Sequence, residues 1–296
     1  MIYFYQLANA LVIGTLYALM AVGLSLIFGV LKLVNFAHGE FLMVGGYVYF
    51  IFAALKLPLP LALAVGMPLL FLFGVAVERL FLSGPYQKKM PRYDEYVILV
   101  TFALGIFLQN FALPLFGPYN RQAPPLFQGS VRIGDLIVGG DRLAGAAVAF
   151  IVIGCLLWLL YRTYTGKALR AVAQSPSASA ITGIRVLRTR SVAFGLGATL
   201  AGVAGALFGP IFLVHPEMGT TFAVKAFVIV VLGGMGSIRG SIVGAYILAI
   251  VESFGSILLL DPSRALAYKD AYGLLLLVII LILRPQGLFG EKERRA

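Results

Sequence analysis

The chain has 296 residues, of which 60% are hydrophobic and 12% are charged, and its formal net charge is +11. Soluble globular domains carry roughly 25% charged residues, so this composition excludes an ordinary soluble domain and indicates a membrane protein. The basic residues cluster in short segments between apolar runs. That pattern is typical of cytoplasmic loops, and no nucleic-acid partner is expected.

Apolar runs that approach or reach membrane-spanning length follow one another along the whole chain. A membrane helix needs about 20 apolar residues. The runs predict an all-α integral membrane protein, a polytopic bundle of 8–9 transmembrane helices with short or broken helices, in a single domain of residues 1–296. The least regular runs are 37–54, which opens on His38, and 222–236, which is short and carries Lys225. The full set is 7–31, 37–54, 61–82, 96–116, 143–161, 191–214, 222–236, 241–260 and 271–283.

The most basic segment sets the expected orientation. Residues 162–190 contain six Lys or Arg residues and no Asp or Glu, and such a loop stays in the cytoplasm. Counting crossings outward from it places Lys88, Lys89 and Arg239 on the cytoplasmic side as well. If all nine segments cross, the N-terminus lies outside and the C-terminus lies in the cytoplasm.

The same basic loop predicts two short helices. Residues 167–174 are rich in helix formers. Ser175 is a good N-cap, and Pro176 suits the first position of a second helix while disfavouring helical geometry at Ser175. Gly183 suits the position just past that helix. A small capped helix flanked by arginines fits a plug for a groove on another protein and a solvated loop near anionic lipid equally well.

A second polar constellation lies between the first two apolar runs, where Asn35, His38 and Glu40 occur within six residues. Polar groups at a broken helix bind substrates inside the membrane in some transporters, so these residues are candidates for a transport pathway. The alternative is a short cytoplasmic turn whose polar groups meet water. Because the chain has only two histidines, no metal site is expected.

Glu252 is the fourth pathway candidate, near the middle of the run 241–260. A charged side chain at the bilayer centre costs about 2.5–3.5 kcal/mol on insertion scales, so Glu252 must face the bundle or a wet cavity, or be protonated. Two roles remain open, a pathway residue and a structural partner of a buried basic or amide group. Lys225 is expected to snorkel to the outer surface, and Glu78 and Arg79 are expected to anchor a cytoplasmic helix end.

The chain lacks the motifs of enzymes and nucleotide-binding proteins. Gly166-Lys167 is followed by Ala168, so the sequence contains no Gly-x-x-x-x-Gly-Lys-Ser/Thr phosphate-binding loop. No Ser/His/Asp arrangement or paired carboxylates indicate a catalytic site. We therefore expect a transport protein without catalytic residues, and not an enzyme.

Several short motifs give the chain a family resemblance that extends over nearly its whole length. In this order they resemble the branched-chain amino acid permease family of ABC importers, and the Asn-Phe-Ala-His-Gly-Glu and Gly-Gly-x-Gly-Ser-Ile strings are the most specific. The matching segments are Gly14–Leu19, Asn35–Glu40, Glu78-Arg79, Phe107–Asn110, Gly166–Gln174 with Gly183-Ile184, and Val231–Ile238. Urea and short-amide permeases are close relatives of that family.

The resemblance implies partners and a location. It implies the first of two homologous permease subunits in the plasma (inner) membrane of a prokaryote, which works with the second permease, two cytoplasmic ATPase subunits and an extracytoplasmic solute-binding protein. No cofactor is expected on this chain, and ATP with Mg²⁺ is expected on the ATPase subunits. Membrane lipid is the remaining partner.

The resemblance also assigns a role to the basic loop, because residues 162–190 match the ATPase-docking loop of the family. The implied docking residues are Gly166, Arg170, Ala171, Gln174, Ala178, Gly183 and Ile184. Ser175-Pro176 departs from the family, whose members often have an acidic residue or Asn before the second helix. Serine caps equally well, so docking is expected to be retained while the choice of partner can differ.

Three functions are compared on this basis. The leading one is the permease subunit of an ATP-driven importer that moves a small polar nutrient, with branched-chain amino acids as the expected cargo. The alternatives are a urea or short-amide permease and an ion-coupled secondary carrier in which Glu252 is the coupling carboxylate. A basic, capped cytoplasmic loop favours the importer, because a carrier has no reason to hold one.

Overall fold

A computed structural model describes residues 2–127, 129–133, 136–258 and 268–290. In that part the chain forms long apolar helices with a small helical projection at one end. The helices are α1 (Ile2–Leu31), α2 (His38–Ala54), α3 (Leu59–Val77), α4 (Gly84–Gln87), α5 (Tyr93–Phe116), α6 (Gly140–Arg162), α7 (Tyr164–Gln174), α8 (Pro176–Ile181), α9 (Val186–Phe208), α10 (Met218–Gly233), α11 (Ile238–Leu258) and α12 (Lys269–Leu283). A π-helical segment, Glu78–Ser83, joins α3 to α4.

The structure confirms a predominantly helical membrane protein. Among the described residues, six helices have the length and apolarity of a membrane span: those over Tyr3–Leu31, Pro60–Gln87, Tyr93–Phe116, Gly140–Arg162, Val186–Phe208 and Ile238–Gly255. The helices α2, α10 and α12 are shorter, at 17, 16 and 15 residues. All nine predicted segments are thus largely helical, but the count of eight or nine crossings is not confirmed. The predicted run 191–214 also ends early, because α9 stops at Phe208.

One element departs from the all-α prediction. Ser130–Ile133 (β1) and Leu136–Gly139 (β2) form an antiparallel hairpin, in which Ser130 pairs with Gly139 and Ile133 with Leu136. The hairpin immediately precedes α6, whose N-cap is Gly139. The strands are therefore part of the connection from α5 to α6 and do not alter the helical bundle.

The centre of the bundle is the crossing of α1 and α9, the two most buried spans. A Cβ added to Gly23 would lie 2.8 Å from the carbonyl oxygen of Gly197, and a Cβ on Gly197 would lie 2.8 Å from that of Gly23. Only glycine lets two helix backbones approach this closely, and such close approach stabilises helix association in lipid through van der Waals contact. Gly23 and Gly197 thus bring α1 and α9 together at the centre of the bundle.

The two halves of the bundle are arranged as an inverted repeat. The helix α2 runs parallel to α9, since Phe41 contacts Phe194 and Gly45 lies against Gly202. Correspondingly, α10 runs parallel to α1, since Lys225 lies over the Tyr17 ring and Gly236, just after α10, lies against Gly29. The helix α3 packs on α9, and α11 packs on α1. The order α1, α2, α3, α5 is therefore repeated with opposite direction by α9, α10, α11, α12, a construction found in many transporters.

The chain breaks its helical path between α1 and α2. It reverses at Lys32, which has a φ of 58°, and residues 33–37 run back along α1. The first residue of α2, His38, then contacts the carbonyl of Met20, about 16 Å from the end of α1 at 1.5 Å per residue. The helix α2 therefore begins near the middle of the bundle. Irregular backbone at this depth is tolerated where protein surrounds it.

Candidate transport pathway and docking surface

The polar motif after α1 is buried in the bundle. Asn35, His38 and Glu40 have relative exposures of 1%, 0% and 5%. The Oδ1 atom of Asn35 accepts a hydrogen bond from the Ala37 backbone N–H at 3.1 Å. The Nε2 atom of His38 lies 3.0 Å from the Met20 carbonyl, which can only accept, so Nε2 carries the proton. The second interpretation of the motif, a short cytoplasmic turn whose polar groups meet water, is therefore wrong.

Glu40 projects between two other helices. Its carboxylate fits against Gly219 in the first turn of α10, where any Cβ would collide with both carboxylate oxygens. Its Cγ atom faces Gly105 of α5. In the described part of the chain, three buried atoms of the motif have no hydrogen-bond partner: Asn35 Nδ2, His38 Nδ1 and Glu40 Oε2. Buried polar atoms without partners are rare and costly, which makes this motif a place for water or a polar ligand.

Glu252 lies in a different cluster of charges. It is 1% exposed, accepts a hydrogen bond from the Tyr17 hydroxyl at 2.9 Å, and lies 2.6 Å from the Lys225 ammonium. Lys225 also contacts Asp270 at 2.5 Å. The expectation that Lys225 snorkels outward is wrong, because its side chain is 11% exposed and held by carboxylates of α11 and α12. This geometry favours the structural-partner role of Glu252.

The charge cluster lies between two cavities. A cavity of about 500 Å³ opens beside Tyr17, Asn120, His215 and Thr221, with an apolar wall formed largely by Ile211, Phe212, Leu213, Met218 and Phe222. A second cavity of about 270 Å³ lies between α10, α11 and α12. Thr221, Lys225 and Asp270 line both cavities, so the Lys225–Asp270 pair lies where they meet.

Sequence reasoning missed a buried polar cluster on the other half of the repeat. Glu78 is fully buried and accepts a hydrogen bond from Ser191 of α9 at 2.5 Å, so it does not anchor a helix end at the surface. Arg190 is 2% exposed, lies 3.7 Å from the centre of the Tyr86 ring, and donates to the Tyr93 hydroxyl at 3.1 Å. The π-helical segment places Glu78, and such segments are frequent at functional sites.

Glu78 and Glu252 occupy equivalent positions in the repeat. The pairs Tyr17 and Ser191, Gly23 and Gly197, and Glu78 and Glu252 each have the same separation along the chain. Glu252 therefore relates to Tyr17 as Glu78 relates to Ser191. A sequence signal of this equivalence is the dipeptide Val-Glu, which occurs at 77–78 and again at 251–252.

The projection at the end of the bundle matches the predicted pair of capped helices. The Ser175 hydroxyl accepts a hydrogen bond from the Ala178 N–H at 3.2 Å, with Pro176 at the first helical position. At the other end Gly183 has a φ of +84°. Its N–H bonds the Ala180 carbonyl and the Ile184 N–H bonds the Ser179 carbonyl, which is a Schellman termination.

The predicted docking residues differ in exposure. Arg170, Gln174, Ala178 and Gly183 are exposed, and Ala171 and Ile184 are half-buried. Gly166 is buried where any side chain would collide with the backbone of α6, so it packs the projection onto the bundle. The sequence reasoning also omitted two large apolar side chains of the projection, Tyr164 and Ile181, which are each 88% exposed.

The projection shares one end of the bundle with most of the basic residues whose positions the structure describes. It meets the end of α1 and the α10–α11 turn around a cavity of about 260 Å³, lined in part by Gly29, Arg170 and Arg239. The opposite end is marked by the bond from Arg142 to Asn9 and the backbone pairing of Arg121 with Val214. We call these the coupling end and the distal end.

Comparison with known proteins identifies relatives over nearly the full length. A family described as "Branched-chain amino acid transport system / permease component" matches residues 6–283. The permease BraD of Pseudomonas aeruginosa is 30% identical, covering 98% of this chain and 97% of its own length, and LivH of Escherichia coli K12 is 31% identical over 97% and 96%. LivM of Salmonella typhimurium is 29% identical over 92% of this chain and 67% of its own length. No solved structure matches the chain.

Proposed function

Because the chain belongs to the family of branched-chain amino acid transport permease components, we propose that it is the membrane-spanning permease subunit of an ATP-driven importer of branched-chain amino acids. The observation that carries the proposal beyond the family is the capped two-helix projection at the basic end of the bundle. It presents Tyr164 and Ile181 to the outside of the fold, as a surface that docks into another protein does.

The relatives and the fold together favour this function over the alternatives. BraD and LivH are described as high-affinity branched-chain amino acid transport permeases, which favours amino acids over urea and short amides. BraD and LivH are thus described as transport permeases and not as enzymes. The ion-coupled carrier loses its main support, since Glu252 is held by Lys225 and Tyr17.

The proposed assembly contains a second permease subunit, two ATPase subunits that bind ATP and Mg²⁺, and an extracytoplasmic solute-binding protein. The similarity to LivM, another permease of the same transport system, supports a homologous permease partner. The ATPases dock on α7 and α8 at the coupling end, and the binding protein docks at the distal end. With the coupling end in the cytoplasm, the N-terminus of α1 lies outside the plasma membrane, in accord with the bias of basic residues.

We assign the buried motif Asn35, His38 and Glu40 to the inner part of the transport pathway. The unpartnered atoms of these side chains lie at the start of α2, where the Glu40 carboxylate also meets Gly219 in the first turn of α10. Closure of the ATPases would move the projection, and α9, which begins five residues after α8, would carry the motion to this level.

Docking variants of the purified complex test the proposal. Ile181→Ser removes an exposed apolar side chain of the projection, and Ser177→Thr is the matched control on an exposed polar residue of the same helix. We expect Ile181→Ser to lose most of the ATPase stimulation by amino-acid-loaded binding protein, while the control retains it. Full stimulation in Ile181→Ser would contradict the assignment of this surface to the ATPases.

A further inference from the structure

The geometry points to a binding site for the zwitterionic α-amino acid group at the junction of the two cavities that share Lys225 and Asp270, in which Lys225 takes the carboxylate and Asp270 takes the ammonium. The inference rests on the proposed function, because it assumes an amino acid cargo. It adds a substrate subsite that differs from the buried motif of α2.

The lysine of this pair is fixed in position by groups behind it. Its ammonium lies 2.6 Å from Glu252, which is itself held by the Tyr17 hydroxyl at 2.9 Å. Glu252 is 1% exposed and lines only the smaller of the two cavities, so a ligand in the larger cavity meets Lys225 and not Glu252. Lys225 therefore keeps a buried counter-charge while its other hydrogen-bond donors face the cavity.

Asp270, by contrast, is an exchangeable partner. Its side chain is 65% exposed, and it lies in the first turn of α12. A helix N-terminus stabilises a carboxylate, so the Asp270 side chain has favourable electrostatic surroundings of its own besides Lys225. Because the Asp270 side of the pair is open to water, a ligand that offers both charges can take its place at Lys225.

An α-amino acid has the charges that this exchange requires. Its carboxylate replaces the carboxylate of Asp270 at the Lys225 ammonium, and its own ammonium then pairs with the freed Asp270. Both residues keep an opposite charge throughout. A simple amine or a simple carboxylate satisfies only one of them and leaves the other without a ligand partner.

The surroundings of the pair favour an aliphatic side chain. The wall of the larger cavity includes Ile211, Phe212, Met218 and Phe222, and the cavity of about 500 Å³ is of ordinary size for a small-molecule site. Lys225 and Asp270 line both cavities, so their contact closes the junction between them. Cargo that is inserted between the two side chains also separates them. The same exchange thus binds the cargo and opens its way inward.

The test uses the complete importer reconstituted in proteoliposomes with its binding protein. Asp270→Asn removes the proposed ammonium ligand and leaves the Lys225–Glu252 pair in place. Glu217→Gln is the matched control, because Glu217 is exposed just before α10, near the rim of the same cavity, and makes no capping bond. We expect leucine uptake by Asp270→Asn to fall at least 10-fold, with ATPase stimulation by the loaded binding protein kept within 2-fold and the control unchanged.

A binding measurement on the permease complex distinguishes failure of the proposed site from failure of the proposed function. A cysteine at Thr221, in a chain with Cys155 replaced by Ser, is labelled with a charged thiol reagent. High concentrations of L-leucine should slow the labelling, whereas 3-methylbutylamine and 4-methylpentanoate, which each lack one charged group, should not. Protection by either analogue equal to that by leucine, or leucine uptake by Asp270→Asn equal to the control, would overturn the site. Absence of ATP-driven leucine uptake in the unmodified complex would instead overturn the proposed function.

Discussion

At the residue scale the structure explains how charges are kept inside an apolar bundle. Lys225 and Glu252 lie 2.6 Å apart with side-chain exposures of 11% and 1%. Removing one partner of a buried pair is far more costly than losing an exposed ion pair, because the remaining charge loses its nearest counter-charge. The pair therefore stabilises the contact of α10 with α11 only as a unit.

This pairing makes a prediction about stability. Lys225→Met should lower the free energy of unfolding by about 3–5 kcal/mol, because the Glu252 charge is then buried without Lys225. Adding Glu252→Gln to that variant should recover a large part of the loss, since the amide keeps the shape and carries no charge. Thermal unfolding in detergent measures both effects. If the double variant is less stable than Lys225→Met alone, the pair does not act as a unit.

The cap of the docking helix makes a second prediction at this scale. The Ser175 hydroxyl accepts the Ala178 N–H, and loss of such a cap costs about 1 kcal/mol. Ser175→Ala should therefore increase hydrogen exchange in α8 while the exchange of α9 stays unchanged, and Ser175→Asp should restore the original rate because aspartate caps equally well. Equal exchange in Ser175→Ala and the unmodified chain would contradict the capping role.

At the element scale, close helix contacts through glycine determine the packing of the bundle. Gly23 and Gly197 meet at the crossing of α1 and α9, whereas a Cβ on Gly154 of α6 would have no atom within 4 Å. We expect Gly23→Val to prevent formation of a stable monodisperse complex, and Gly154→Val to be tolerated. Size-exclusion chromatography after detergent extraction distinguishes them, and similar behaviour of the two variants would contradict the proposed crossing.

Local elements were predictable from the sequence where local chemistry decides them. Ser175, Pro176 and Gly183 set the ends of α8 through capping and backbone geometry, and the structure confirms those ends. The depth at which α2 begins was not predictable, because it depends on how residues 33–37 pack against α1. For the same reason the sequence left the environment of His38 and Glu40 open.

At the scale of the whole molecule, the inverted repeat was also beyond the sequence analysis. Helix directions and contacts reveal it, while the matching residues Tyr17 and Ser191 share no chemistry beyond a hydroxyl group. The equivalence of Glu78 and Glu252 indicates that each half of the bundle places a buried carboxylate against the central helix of the other half. A motion that moves one half against the other would therefore act on both carboxylates.

The orientation of the whole molecule gives a further prediction. Single cysteines at Ser177, on the projection, and at Asn120, beside the distal cavity, should react with an impermeant thiol reagent from opposite sides of the membrane. The native Cys155 is exposed and is replaced by Ser in both. In intact cells only Asn120→Cys should be labelled. Labelling of Ser177→Cys from outside would reverse the assigned orientation.

The most direct test of the account is transport by the complete complex in proteoliposomes. This chain, its permease partner, the ATPases and the binding protein are reconstituted, and leucine uptake is measured with and without ATP on the cytoplasmic face and with and without a pH gradient. We predict uptake that requires ATP, requires the binding protein and ignores the gradient. Uptake that persists without ATP and follows the pH gradient would contradict the importer and return Glu252 to the role of a coupling carboxylate.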